Sequence, residues 1–258
     1  MLSAISRWFR SLPTAAKLLL ILTAALLPVG ITLVFVAADE IQQANDALAG
    51  RTADQADVAQ RGIESLVARN ALALRIAANA ALASGPGGSC DRAQRSLTIA
   101  PAVARDFELE TLDGTPICKV GEIGATNELP LVAPGAIRIR IASDRPGILF
   151  RVGVNGGMAS GALSVREVET AAREGSSEIT SVVLRDDRRS LTVIPVPAVD
   201  GTGEITKFVE LPVGPDDIMA TMGGPVPRIT IVDKLLLLMP LLMWVMAALI
   251  SWLLSADC

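Results

Sequence analysis

Three arginines have a spacing that could bind an anion. Arg138 and Arg140 alternate along the stretch 136–142, and Arg151 lies in the next strand-like stretch, 147–154. Side chains two residues apart on a strand point to the same face, so these guanidinium groups would share one face of a sheet. Facing a pocket, they would bind a carboxylate or phosphate of a ligand in bidentate fashion. The alternative is a solvated face, which alternating arginines more commonly form.

The other polar candidates do not form a catalytic constellation. The chain contains no His, which excludes a His base, a His metal ligand and a His phosphoacceptor within it. Asp216 and Asp217 are adjacent, so their carboxylates diverge, and they suit the start of a helix. The pairs Gly156-Gly157 and Gly223-Gly224 lack the spacing and the Lys of a phosphate-binding loop. We therefore expect no catalytic residue, no metal and no cofactor. The net charge of −4, without a basic stripe, argues against nucleic-acid binding.

Two long apolar segments frame a more polar middle. Residues 18–38 and 235–255 are each 21 residues long and contain no charged side chain. As helices they are long enough to cross a hydrocarbon core of about 30 Å. The alternative for the first segment is a signal peptide cleaved after Ala38, but its apolar run exceeds the usual core of such peptides.

The charges beside the first segment predict its orientation. Arg7, Arg10 and Lys17 precede it without any acid, so the positive-inside rule places the N-terminus in the cytoplasm. Two spans then return the C-terminus to the same side. The predicted organisation is a cytoplasmic N-terminus (1–17), a first span (18–38), a periplasmic domain (39–234), a second span (235–255) and a cytoplasmic end (256–258).

The middle of the chain is predicted to begin with a long helix. From residue 39 to 84 Pro is absent and good helix formers are frequent. An imperfect apolar stripe suits packing on the same domain and pairing with a second copy. Ser164 and Glu167 form the pattern of a capping box, which predicts a second, short helix, and residues 214–218 suit another helix start.

Between the helical stretches the apolar pattern changes to a period of two. Asp113-Gly114 separates two alternating stretches, which predicts a hairpin over 107–120 whose turn takes positive φ angles at both residues. Further strands are expected at 136–142, 147–154, 178–185, 190–196 and 204–211. With a sheet-bearing part (85–212) and a connector (213–234), the middle is predicted to be an α+β domain with one antiparallel sheet.

The predicted topology separates the three cysteines. Cys90 and Cys118 fall in the exported part, where an even pair is most simply a disulfide, and the alternative is two buried free thiols. Cys258 falls on the cytoplasmic side, where it has no partner.

The region from Cys90 to Cys118 resembles a known type of domain. A Cys opening a helix, a strand, an Asp-Gly turn and a Cys on the next strand are similar to the PAS-like Cache domains of bacterial two-pass sensor histidine kinases and diguanylate cyclases. Residues 250–257 (ISWLLSAD) resemble the membrane exit of histidine kinases of the HWE type. The resemblance implies a sensor region in the bacterial inner membrane, truncated after its second span. The linker, the phosphoacceptor His and the ATP-binding domain of that family are missing.

Two functions follow as hypotheses. The first is a sensory input module that works as a homodimer in the membrane lipid and relays the binding of a small periplasmic ligand, with Arg138, Arg140 and Arg151 as candidate ligand-binding residues. The second is a non-enzymatic envelope scaffold that offers its domain to partner proteins. Continuation of the reading frame beyond Cys258 into a His-bearing helix would favour the first.

Overall fold

A computed structural model describes residues 14–83, 90–99, 104–176, 178–196, 208–214 and 218–224, together with Leu242, Val245, Met246 and Leu249. The chain divides into two compact units, Met1–Leu48 with Pro227–Cys258, and Ala49–Val226. The predicted second span, apart from those four residues, lies outside the described part of the chain. So do Arg7, Arg10 and Cys258.

The first helix, α1, contains the predicted first apolar segment and the predicted long helix. It is assigned from Thr14 to Leu82. From Ile21 onward it is long and apolar enough to cross a membrane, by length and composition, and it is the one such helix among the described residues. Pro28 lies inside it. The Thr32 hydroxyl donates to the backbone carbonyls of Pro28 at 2.7 Å and Val29 at 3.0 Å, which satisfies that polar group within the helix.

The second unit contains two antiparallel sheets. The five-stranded sheet has the order β2-β1-β5-β4-β3, and the four-stranded sheet has the order β7-β6-β9-β8. The strands are β1 (Phe107–Thr111), β2 (Pro116–Val120), β3 (Ile137–Ile141), β4 (Gly147–Val154), β5 (Gly157–Ser164), β6 (Ser181–Arg185), β7 (Ser190–Ile194), β8 (Phe208–Val213) and β9 (Ile218–Gly223). Two further α-helices are α2 (Cys90–Ile99) and α3 (Val165–Gly175), and Thr126–Glu128 forms a 3₁₀ turn.

The prediction of an α+β domain is confirmed, whereas the prediction of one sheet is wrong. Strand β3 is the last strand of the first sheet, and a turn binds its outer edge at Ile141. Asp186 Oδ2 accepts from the backbone N–H of Ile141 at 3.1 Å, and Arg189 Nη1 donates to the Ile141 carbonyl at 3.2 Å. Unpaired edge groups of this kind would otherwise accept a further strand. These bonds come from the charged turn between β6 and β7, residues 186–189, which contacts the edge of β3 at Ile141.

Strand β5 lies at the centre of the first sheet and was not predicted. Its sequence, GMASGALS, consists mostly of small residues and lacks the β-branched and aromatic residues typical of strands. The structure explains one of these small residues, Gly161. A Cβ atom on Gly161 would lie 2.5 Å from the Phe150 ring, so only Gly leaves room for that fully buried side chain. Small residues here serve the packing of neighbouring strands.

Two local predictions have opposite outcomes. The capping box is present, since Glu167 N–H donates to Ser164 Oγ and Ser164 N–H donates to Glu167 Oε2 at 2.7 Å, and α3 follows. The helix start predicted at 214–218 is wrong, because Ile218 begins strand β9; Asp216 and Asp217 lie outside the described residues.

The hairpin is confirmed, but its turn differs from the prediction. Only Gly114 has a positive φ, at 78°, and Asp113 does not. The Gly114 N–H donates to the Thr111 carbonyl at 3.0 Å, and the Thr111 N–H donates to the Thr115 carbonyl at 2.9 Å. These bonds close a loop longer than the two-residue turn, in which one left-handed Gly suffices.

Candidate functional site

A polar row crosses the five-stranded sheet in register. Glu108 on β1 pairs with Ser160 on β5, Ser160 pairs with Arg151 on β4, and Arg151 pairs with Arg138 on β3. On the other side Glu108 pairs with Lys119 on β2. Directly opposed residues of antiparallel strands point to the same face. One face of the sheet therefore carries a continuous line of charged and polar side chains.

The opposite face of the same sheet forms the main core. Phe107, Gly161, Phe150 and Ile139 are the register partners on adjacent strands. The three large side chains among them are at most 1% exposed and join one hydrophobic cluster with buried residues of α1. The apolar face thus packs in the main core of the domain.

A covering segment, residues 121–136, lies over the polar face. Ile123 and Leu129 of this segment form a small buried cluster with Ala142 and Leu149, against which Ala162 also packs. Because of this cover, the middle of the polar row is buried: Ser160 is 0%, Arg151 3% and Glu108 8% exposed. Its two ends, Lys119 and Arg138, are exposed.

Arg151 holds the covering segment to the sheet. Its Nη2 donates to the Thr126 carbonyl and to Glu110 Oε2, each at 2.9 Å. Its Nη1 donates to the carbonyls of Leu129 at 2.8 Å and Pro130 at 3.4 Å. Its Nε donates to Ser160 Oγ at 2.9 Å. A guanidinium group has five N–H donors, and five contacts to protein acceptors occupy them.

Two carboxylates flank this guanidinium on strand β1. Glu108 Oε2 accepts from the Thr126 hydroxyl at 2.8 Å, and Glu110 forms a buried ion pair with Arg151, the side chains being 12% and 4% exposed. Burial raises the pKa of Glu110 above its ordinary value, Arg151 lowers that pKa, and the negative charge of Glu108 raises it. Loss of solvation has the largest effect, so the Glu110 carboxylate takes up a proton more readily than a carboxylate in water does.

The structure brings two of the three predicted arginines directly together. Arg138 and Arg151 are opposed across β3 and β4, and Arg140 lies two residues from Arg138 on the same face. Arg140 is ion-paired with Asp187, and the N–H groups of Arg151 are directed to protein acceptors. The shared face is confirmed. That the three bind a ligand together stays a prediction, and Arg151 is first of all the residue that fixes the covering segment.

The buried partners of Arg151 were missed by the sequence reasoning. Glu108 and Glu110 alternate in FELET, the same signal that singled out Arg138 and Arg140, and could have been found by it. Ser160 could not, because its strand was not predicted. Thr126 lies in a loop with no periodic pattern.

The predicted disulfide between Cys90 and Cys118 is present, with a Cα–Cα distance of 5.5 Å. It joins the first residue of α2 to the edge strand β2. Among the described residues no group of three or more Cys, Asp and Glu side chains is arranged to hold a metal ion.

Comparison with known proteins does not place the chain in a family. No protein-family model matches it, and no curated protein matches it.

The two perturbed carboxylates predict opposite effects of pH on stability. The raised pKa of Glu110 means that the folded state takes up a proton first, so stability increases as pH falls through that pKa towards 4.5. The pKa of Glu128 is lowered, mainly by its hydrogen bond from Arg189, so its contribution is full above pH 4.5 and is lost below it. Thermal unfolding should be measured from pH 7 to 3. The Glu110→Gln variant should lack the increase in stability that the wild type shows as pH falls towards 4.5. The Glu128→Gln variant should lack the decrease in stability below pH 4.5. Identical pH profiles for both variants and the wild type would contradict the assignment.

Proposed function

We propose that the chain is the membrane-anchored input module of a bacterial signal-transduction protein, in which the periplasmic domain senses a small ligand. One observation carries the proposal: a row of charged side chains, Glu108, Arg151 and their neighbours, is buried beneath a separate segment of chain. Even a paired buried charge adds little stability compared with apolar residues of similar volume, so stability alone does not explain charged residues at this place. A charged, covered sheet face is suited to exchanging its internal partners for those of a ligand.

The architecture is consistent with this role. A long helix precedes an antiparallel sheet of order β2-β1-β5-β4-β3, and a long helix followed by a sheet is what the resemblance to PAS-like Cache domains implies. The apolar part of α1 is compatible with membrane anchoring. We place the domain in the periplasm, with both termini in the cytoplasm and residues 235–255 as the second span. The module would act as a homodimer in the lipid bilayer and feed a histidine kinase.

The mechanism requires a ligand that distinguishes two conformers. A ligand shifts an equilibrium only by the difference between its affinities for the two states. Here the two states would differ in whether the covering segment is bound by Arg151, and the change would reach the membrane as a small relative shift of two spans.

The test is a series of chimeras. Residues 1–255 are joined to a known histidine kinase core in several successive helical registers, and reporter output is measured in a panel of defined growth media. At least one register should give output that changes with the medium, and replacing the periplasmic domain with a neutral linker should abolish the change. Single-Cys crosslinking along 41–66 should detect the dimer. Constant output in every register, without a crosslinked dimer, would overturn the proposal in favour of an envelope scaffold.

A further inference from the structure

The 3₁₀ turn Thr126–Glu128 contacts the polar row on one side and the four-stranded sheet on the other. Its Thr126 hydroxyl donates to Glu108, and its Thr126 carbonyl accepts from Arg151. Two residues later, the Glu128 carboxylate accepts from both terminal nitrogens of Arg189, with Nη2–Oε1 at 3.1 Å. Three consecutive residues thus join the buried site to the β6–β7 turn.

The β6–β7 turn is itself fixed in a way that keeps Arg189 in place. Asp186 Oδ1 accepts from the backbone N–H groups of Arg188 at 2.8 Å and Arg189 at 2.6 Å. The other oxygen of Asp186 binds the N–H of Ile141 on β3, and Arg189 binds the Ile141 carbonyl. Because a bidentate Arg–carboxylate pair is strongly directional, a displacement of Glu128 by one residue's rise would break it.

The four-stranded sheet provides a route onward from this turn. Strand β6 is paired along its length with β9, from Ser181↔Gly223 to Arg185↔Met219. The neighbouring strand β8 contacts α1, where Gln60 Nε2 donates to the Pro212 carbonyl at 2.5 Å. The Gly214 N–H that follows donates to Glu64 Oε1 at 3.3 Å. The sheet bound by Arg189 is therefore also bound to the long helix.

We propose that the Glu128–Arg189 pair is a latch that couples the covering segment to the four-stranded sheet, so that release of the segment from the polar row also releases the β6–β7 turn. This inference rests on the proposed function for its biological use, but the coupling itself is a physical property of the domain. The latch is partly exposed, with side chains 33% and 27% accessible, so it opens at lower cost than the buried Glu110–Arg151 pair.

The first test measures amide hydrogen exchange of the full chain in lipid nanodiscs. Arg189→Gln should raise exchange about tenfold both in residues 126–132 and in residues 185–190, because losing the latch frees both sides. Glu128→Gln should have the same effect. The double variant should raise exchange no more than the more affected single variant does, since both substitutions remove the same ion pair.

The matched control is Arg188→Gln, which changes the residue immediately before Arg189 in the same turn. Its side chain is 72% exposed and lies 3.7 Å from Asp187, so this variant should leave exchange in 126–132 unchanged. The latch is overturned if Arg189→Gln affects only 185–190, or if the effects of the two single variants add.

The second test places the same variants in a chimera whose output responds to the medium. Arg189→Gln should abolish the response, whereas Arg188→Gln should keep it. A full response with Arg189→Gln overturns the latch as the relay. If no chimera responds at all, the proposed function fails, and the exchange experiment alone decides whether the latch couples the two parts.

Discussion

Replacing Arg151 with Met should lower the free energy of unfolding by about 3–5 kcal/mol, the usual cost of removing one partner of a buried ion pair. The side chain is 4% exposed and bonds to Glu110, Ser160 and the covering segment. Without it, Glu110 remains buried with the like charge of Glu108 nearby, and the carbonyls of Thr126 and Leu129 lose a donor. Urea unfolding of the purified chain, followed by circular dichroism, measures the loss.

Two variants separate this explanation from a general sensitivity of the domain to arginine loss. Arg188→Met removes an exposed guanidinium and should change stability by less than about 0.5 kcal/mol. The double variant Arg151→Met with Glu110→Met removes both charges and should recover part of the loss, since a buried pair can often be replaced by apolar residues. No recovery would mean that the bonds from Arg151 to the covering segment matter more than the ion pair.

The elements best predicted from the sequence are those whose local signals agree with their tertiary setting. The long helix in α1, the capping box at Ser164 and strand β4 are of this kind. In each, residue preference, spacing and terminal residues all indicate the same structure. The hairpin was found for the same reason, although its turn uses one left-handed Gly instead of two positive φ angles.

The elements that were missed depend on partners distant in sequence. In strand β5, Gly161 is required because Phe150 needs the space, which no local pattern reveals. The bonds from Asp186 and Arg189 to the edge of β3 join residues some 45 positions apart, so no local pattern reveals them. Local propensity is a weak guide where cross-strand packing decides.

The sequence predicted which face of the sheet carries the arginines, but not what surrounds them. The alternation of Arg138 and Arg140 correctly placed both on one face, and Arg151 joined them by register. The pattern could not show that Arg151 is covered and that acidic residues of β1 lie beside it. A guanidinium that looks available to an anion in the sequence is already bound to protein carboxylate and carbonyl groups in the fold.

Reducing the Cys90–Cys118 bridge should lower the free energy of unfolding by about 3–4 kcal/mol in the chain-entropy model. The bridge spans a sequence separation of 28, and opening it frees that loop in the unfolded state. It also releases α2 from β2, which is an edge strand held by β1 on one side only. Urea unfolding of the purified wild-type chain with and without reductant measures the effect.

Two cysteine variants show whether the cross-link or the side chains are responsible. Cys90→Ala with Cys118→Ala should resemble the reduced wild type, apart from a further loss where Cys118, 4% exposed, packs in the core. Cys258→Ala should behave as the wild type in both conditions. Because disulfides persist in oxidising compartments, the bridge should also be intact in protein taken directly from cells in the presence of an alkylating agent. Alkylation of both Cys90 and Cys118 without reductant would contradict the bridge and would count against the proposal that this domain lies outside the cytoplasm.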